Sequence, residues 1–513
     1  MKGEIIEAGS LQSDAEISCD VCVIGSGAGG AVLAAGLVER GLKVVMLEEG
    51  GYHTKKEFDL QEGNAYPMLY QDRGLRSTAD VAITILQGKS VGGSTTVNWT
   101  TCFRTPARIL EHWRRVHGVE GLDLATLTPH FEAVEERLAI HEWPVELANA
   151  NNRVLWDGCR KLGWEVAPLR RNVKGCVNSG YCGVGCPIDA KQSTLITYIP
   201  DAVERGMTLF SNVRAERIEV ERGRVSSIRG VALDRRTHRP TGRRVVVRPK
   251  VAVSSAGAIN GPALLLRSGL DDNGRVGKRT FLHPVVIMAA DFAEPVNAFY
   301  GAPQSVGSHH FEDRGPEKIG FFLEVPPVHP MLAATAFAGF GREHQDFMAR
   351  LAHINAMIAL SIDGLLPGDD GGTVSLHEDG RPRIDYPVGE GLKESFRASC
   401  VAMARIQLAA GAREVRSLHF ESVRIRSEAD LPLLEKAPYG ALRHAITTAH
   451  QMGGCAMGAD PATSVVDSSL RHHRIPNLFV VDGSVFPTSL GVNPSETIYA
   501  LAHWARDRVA GAV

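Results

Sequence analysis

The hexapeptide Gly25-Ser26-Gly27-Ala28-Gly29-Gly30 follows the apolar run Val21-Cys22-Val23-Ile24 and precedes residues 31–40, whose apolar positions recur at helical spacing. A G-x-G-x-x-G between a strand and a helix restricts the fold more than any other feature of the chain. Gly25 allows the tight turn, Gly27 lets the backbone approach a pyrophosphate, and Gly30 lets helix and strand pack closely, with the helix N-terminus towards the phosphates. Residues 44–47 form a second apolar run, and Glu48 at its end stands at the spacing where a carboxylate takes the ribose hydroxyls of an adenosine. The chain therefore opens with the strand, turn, helix, strand unit of a dinucleotide-binding α/β domain. The motif by itself serves NAD and FAD alike.

Composition narrows the remaining choices. A length of 513 residues corresponds to about three domain-sized units or two large ones. With 44% hydrophobic and 22% charged residues the usage is ordinary globular, which excludes a disordered or collagenous chain. Lys and Arg number 56 against 58 Asp and Glu, so no net basic field exists to concentrate nucleic acid or anionic lipid. The weakly polar stretch 323–341 is broken by Glu324, His329 and three prolines, and no membrane span is expected. The first 18 residues lack a basic region followed by an apolar one, so no secretory signal is read and a cytoplasmic location is expected. Nine cysteines, an odd and thin set, argue against a disulfide framework.

Further along, residues 245–255 return to a buried-strand pattern, and residues 284–387 read as an antiparallel sheet with long loops. Motif-rich stretches at the start, centre and end imply one nucleotide-binding domain assembled from discontinuous segments, near 1–110, 188–290 and 440–513. A substrate-binding or cap domain takes 111–187 and 291–439. In residues 88–98, the consecutive Gly92 and Gly93 followed by Ser94, Thr95 and Thr96 expose backbone N–H groups to an anion, and Asn98 offers a donor and an acceptor to a heteroaromatic edge.

Near the C-terminus stand His450-Gln451-Met452-Gly453-Gly454-Cys455-Ala456-Met457-Gly458, then Val480-Val481-Asp482-Gly483-Ser484, then Gly491-Val492-Asn493-Pro494-Ser495-Glu496-Thr497. Together with Gly25 to Gly30, Glu48, the Gly92-Gly93-Ser94 loop and Ser255-Ala256-Gly257-Ala258-Ile259, these resemble the glucose-methanol-choline (GMC) family of FAD-dependent oxidoreductases, in the family's order and over nearly the whole chain. The branch it resembles most is that of the long-chain alcohol oxidases, with cholesterol oxidase-like enzymes.

The resemblance implies a Rossmann-like FAD-binding domain and an α+β substrate domain built on an antiparallel sheet. It implies that His450 takes the hydroxyl proton of an alcohol while the carbinol hydride passes to flavin N5, and that Asn493 holds the substrate oxygen. Imidazole suits a base near neutrality, whereas an amide can only position and polarise. It assigns Gly25, Ser26, Gly27 and Gly30 to the pyrophosphate and Glu48 to the adenosine ribose. Gly92, Gly93, Ser94 and Asn98 would lie along the pyrophosphate and isoalloxazine, and Val213 would use its backbone on adenine. Asp482 and Gly483 would hold the ribityl chain and phosphate, with Asn493 and Pro494 near the pyrimidine carbonyl. Some members attach FAD through a His that here is Val97, so FAD is expected to be non-covalent. The family's G-T-C-R-M-G reads Gly453 to Gly458 here with a Gly and an Ala in place of Thr and Arg.

Cys176, Cys182 and Cys186, followed by Lys191-Gln192-Ser193-Thr194, could hold an iron-sulfur cluster, as in sugar dehydrogenases of the family, or be structural thiols with one disulfide and one left free. The Lys191 to Thr194 run resembles the long-chain alcohol oxidases, and structural thiols without a metal are the favoured reading. Phe321-Phe322-Leu323-Glu324-Val325-Pro326-Pro327 and the apolar residues after it resemble the corresponding part of the long-chain alcohol oxidases, which implies an apolar or aromatic alcohol, with O2 or a quinone or other carrier as electron acceptor. The alternatives are a cyanohydrin-type lyase on the same scaffold, a sugar or polyol dehydrogenase with an iron-sulfur relay, and a catalytically silent flavoprotein. Bleaching of the flavin by an alcohol separates the first from an oxidase.

Overall fold

The computed structural model describes residues 3–337 and 339–513. Its first sheet is parallel at heart. The strand Ala15–Ile24 lies between Val44–Leu47 and Pro240–Ser254, with Val21 opposite Val44 on one side and Val251 on the other. Thr208–Ser211 and Glu4–Glu7 extend it past Val44–Leu47, while Leu478–Val480 joins it alongside Ala252 to Ser254. Arg224–Leu233 and Val213–Glu221 complete it as an antiparallel wing. Val21, Cys22, Val23, Val44 to Leu47 and Val251 to Val253 are all buried, so these runs lack the polar alternation of a one-sided sheet.

The helix Ala28–Glu39 begins at the glycine turn, three residues before the first position of its apolar periodicity. It buries Val32, Leu33 and Leu37 and packs against the C-terminal helix Ser495–Ala510. A Cβ on Gly30 would lie 2.0 Å from the carbonyl oxygen of Gly25, so only glycine lets helix and strand approach this closely.

The second sheet has an antiparallel centre formed by Val285–Asp291, Ile354–Ser361, Phe321–Glu324 and Val306–Ser308. Ile354–Ser361 is buried along its whole length and packs under the helix Glu390–Ala409. Two short parallel strands, Ile83–Ile85 and Ile446–Thr448, attach to Val285 at one corner. The two sheets thus do not part at the residue bounds read from the sequence, since segments near 84 and 447 belong to the second. Mixed α/β architecture with a Rossmann-like sheet and a second, largely antiparallel sheet agrees with the expected fold class. All nine cysteines are free thiols, which corrects the expected disulfide within the Cys176, Cys182 and Cys186 set. Among the described residues no helix is long and apolar enough to cross a membrane.

Candidate active site

A cavity of about 1650 Å³ runs from the glycine turn to the antiparallel sheet. Pockets for drug-sized ligands occupy roughly 300 to 1,000 Å³, so this one has room for a dinucleotide and a second molecule. Gly25, Ser26, Gly27, Glu48, Gly93, Ser94, Asn98, Val213, Asp482, Gly483, Asn493, Pro494 and His450 all line it. The structure therefore brings together site residues drawn from widely separated stretches of sequence. Gly30 and Gly92 stand behind the wall: Gly30 packs helix on strand, and the Gly92 N–H donates to Ser26 Oγ at 2.9 Å.

The nucleotide end is built without side chains at its narrowest point. A Cβ on Gly93 would lie 2.8 Å from the Cα of Gly27, so two glycine loops meet with their amides bare. Glu48 ties this end together, accepting the Ser26 N–H at 2.9 Å and Ser26 O–H at 2.6 Å on one oxygen and the Gly50 N–H at 2.8 Å on the other. Burial pushes its carboxyl up from the ordinary value against these donors. The Val213 N–H donates to the Glu48 carbonyl at 2.8 Å. Asp482 accepts the N–H groups of Ser484 and Gly257, each at 2.8 Å, at the start of the helix Gly257–Arg267. Asn98 Oδ1 is buried with no partner in the protein, an acceptor waiting for a donor. A bare glycine cradle, a helix N-terminus and orphaned amide oxygens fit an FAD.

The cysteine segment supports this cradle. Lys191 Nζ donates to the carbonyls of Thr96 at 2.5 Å, Cys182 at 2.7 Å and Asn98 at 3.1 Å, so one ammonium pins the 92–98 loop to the cysteine loop. Burial lowers its pKa to about 8. Thr194 bonds the Ser26 carbonyl at 3.2 Å and Thr95 Oγ1 at 3.0 Å. Among the described residues no group of three or more His, Cys, Asp or Glu side chains is arranged to hold a metal ion.

At the other end His450 follows the strand Ile446–Thr448, its N–H donating to Thr448 Oγ1 at 3.1 Å. Enclosure pushes its imidazole down to about 4, so it is neutral at pH 7. Its Nδ1 lies 3.2 Å from Nδ1 of the fully buried His283, whose Nε2 accepts the Gly491 N–H at 3.3 Å. Asp363 fixes His283 in place, accepting the N–H groups of Leu282 at 2.9 Å and His283 at 3.1 Å and the Tyr386 O–H at 2.5 Å. Asn493, just before the C-terminal helix, donates its Nδ2 weakly to Glu324 Oε2 at 3.5 Å, and its Oδ1 is buried without a partner. Glu324 is buried and pushed up to about 8, hence protonated at neutrality. Gln304 donates its Nε2 to Glu324 Oε2 at 2.5 Å and accepts the Thr101 O–H on its Oε1 at 2.8 Å.

Glu324, Gln304, His283 and Asp363 are absent from the sequence reading of the site. Glu324 did leave a signal, a lone carboxylate inside the buried strand Phe321–Glu324. His283 and Asp363 left none, because their partners lie 167 and 80 residues away.

Fold and site define an α/β oxidoreductase with a dinucleotide cofactor. Two family models described as GMC oxidoreductase match the chain, over residues 66–285 and 367–502. An uncharacterized GMC-type oxidoreductase of Mycobacterium tuberculosis is 32% identical over 510 residues, which are 98% of this chain and 78% of that one. The long-chain-alcohol oxidase FAO4A of Arabidopsis thaliana is 32% identical over 516 residues, covering 95% of this chain and 68% of the relative. Among solved structures, pyridoxine 4-oxidase from Mesorbium loti superposes with a TM-score of 0.69 at 21% identity, covering 96% of this chain and 99% of the other. Formate oxidase of Aspergillus oryzae gives 0.71 at 14%, over 98% and 99%. The chain belongs to the GMC oxidoreductase family; it is an enzyme, and its cofactor is FAD.

Proposed function

We propose that the enzyme oxidises an apolar or aromatic alcohol to its aldehyde or ketone, with His450 as the base and non-covalently held FAD. The observation that carries this reading is that His450 and Asn493 open into one cavity whose far wall is apolar, including Val285, Ile287, Val328, Leu332, Phe337 and Ile358. When bound, FAD supplies the hydride acceptor. The chain's own residues do the rest. The Nδ2 N–H of Asn493, bonded only weakly to Glu324 at 3.5 Å, donates to the alcohol oxygen as it docks and leaves the hydroxyl hydrogen free for the base. Neutral His450 takes the hydroxyl proton on Nε2, the ring nitrogen not facing His283.

That step sets a condition on the histidine pair. With the Gly491 N–H on Nε2 of His283, the His283 proton sits on Nδ1 and is donated to His450, which leaves Nε2 of His450 protonated. Taking a proton there requires both rings, neutral throughout, to change tautomer: His450 gives up its Nε2 hydrogen and carries one on Nδ1, while His283 gives up its Nδ1 hydrogen and carries one on Nε2. The contact forfeited is the one to Gly491, at 3.3 Å a long hydrogen bond. Once formed, the His450 imidazolium donates to His283, which is buried and neutral.

The test is an anaerobic visible spectrum of the holoenzyme before and after aliphatic, aromatic and sugar alcohols. Bleaching by aliphatic or aromatic alcohols is expected. Bleaching by sugars alone would replace the substrate class, and no bleaching by any alcohol would favour the lyase. Admitting O2, or a quinone, to the reduced enzyme identifies the acceptor.

A further inference from the structure

On the sheet face that walls the substrate end of the cavity, two paired strands carry their apolar side chains in rows. Val285 stands opposite Leu360, Ile287 opposite Ile358 and Ala289 opposite Ala356. Alternate residues of a strand share a face. Accordingly Val285, Ile287, Ala356, Ile358 and Leu360 line the cavity, whereas Val286, Met288, Met357 and Ala359 pack into the core on the other side. The side chains shrink from row to row, from Val and Leu through Ile and Ile to Ala and Ala.

The rows can be placed against the reacting groups. Val285 pairs with Thr447, three residues before His450, and His283, two residues before Val285, touches His450. The first row is therefore the one at the base. Glu324, which Asn493 contacts, pairs with Ile358 in the second row. The alanine row lies one step beyond both, about 7 Å past the second at the rise of an antiparallel strand. There the cavity is closed in: Ala356 and Leu418 from the sheet, with Ala333 and Phe337 from the helix Pro330–Ala336 and its end, line it and share one buried cluster. None of these four side chains forms hydrogen bonds, so a hydroxyl brought there loses its water partners without replacement.

We propose that Ala356 is a specificity-determining residue, which leaves room for the apolar part of the alcohol at the end of the cavity away from His450 and limits how far that part extends from the reacting carbon. An isoleucine or leucine at this position, as in the two rows before it, would fill that room. The orientation of the substrate, hydroxyl towards His450 and Asn493, rests on the proposed alcohol oxidation; the capacity of the alanine end for a hydrocarbon does not.

The test compares the parent holoenzyme with Ala356→Phe, and with the smaller Ala356→Val, which keeps the question open to measurement if the larger ring disturbs the core. Dissociation constants for straight-chain primary alcohols of increasing length are taken from anaerobic flavin reduction. Parent affinity should rise about fourfold with each methylene buried and level once the alanine end is full. Ala356→Phe should level at a shorter chain, with the longest alcohols bound roughly tenfold more weakly than by the parent, the worth of about two methylenes. Ala356→Val should fall between the two. Levelling at one length in the parent and both variants overturns the proposal, as does a weakening equal at every length, which is what a merely structural effect gives. Methyl ethers of the same chains, which have no hydroxyl hydrogen to give up, are titrated in parallel through the shift they cause in flavin absorption. If no alcohol reduces the flavin, the alcohol reading fails, and the ethers still decide on Ala356 by the same criterion.

Discussion

Nδ1 of His283 lies 3.2 Å from Nδ1 of His450, and the first ring is buried where the second opens to the cavity. Two neutral imidazoles at this distance share one hydrogen, and its position decides whether His450 presents a donor or an acceptor to an alcohol. His283 is a positioning residue in this arrangement. Replacing it by Ala removes the acceptor for the His450 imidazolium and should lower the rate of flavin reduction by about 10- to 100-fold with little change in KM. The profile of that rate against pH should shift as well, which a purely structural loss would not produce. A rate and profile like the parent's would remove His283 from the proton path.

Glu324 gives a prediction with a definite sign. Its folded pKa of about 8 lies above the ordinary carboxylate value because burial penalises the charged form. Between roughly pH 4.5 and 8 the folded chain holds a proton that the unfolded chain has lost, so this residue's contribution to stability falls as pH rises through that window. Glu324→Gln keeps the shape and cannot ionise. Its melting temperature should therefore exceed the parent's at pH 8.5 to 9 and converge with it near pH 5. Parallel curves for the two proteins over this range would count against a protonated Glu324.

Glu48→Ala deletes the acceptor of two N–H groups and one hydroxyl at the glycine turn. A net hydrogen bond contributes about 0.5 to 1.5 kcal/mol, so losing three should lower FAD affinity by about one to three orders of magnitude. Recovery of flavin fluorescence on dilution measures this. Retention equal to the parent's would remove Glu48 from the ribose site.

Acid should destabilise the protein early. Burial pushes His53, His117, His329, His419, His444, His450 and His503 down to about 4. Between pH 6.5 and 4 the unfolded chain binds protons that these rings refuse, so stability rises with pH across that window. Glu324 and Asp363, pushed up to about 8 and about 7, act in the opposite direction. The histidines outnumber them, so the melting temperature should climb from pH 4 to about 6.5 and then level or fall. A flat curve below pH 6 would contradict the buried, neutral assignment of these rings.

What was legible in the sequence was whatever local spacing encodes. The run Val21 to Ile24, the glycine turn and Glu48 share one strand, turn, helix, strand unit, and the fold keeps them together on one cavity wall. His450 and Asn493 came from the family resemblance of the C-terminal motifs, and in the fold one follows the strand Ile446–Thr448 and the other precedes the helix Ser495–Ala510. Three-residue strands such as Ile83–Ile85 and Ile446–Thr448 were illegible, since so short a run carries no periodicity and exists only through its neighbours. Glu324, Gln304 and Thr101 form one hydrogen-bonded chain reaching Asn493, drawn from four distant segments. Such a chain leaves no trace in spacing, only the anomaly of a carboxylate in an apolar strand. The cysteine segment was legible as a motif and misread in part: its Lys191 fastens the cofactor loop through backbone carbonyls, and its thiols are free.

His450 as the base is the central claim, and rapid-mixing measurement of flavin reduction by an alcohol under anaerobic conditions tests it most directly. His450→Ala should keep its FAD and its flavin spectrum while the reduction rate falls by about 10²- to 10⁴-fold. A variant that reduces its flavin at close to the parent's rate would contradict the assignment of His450 as the base.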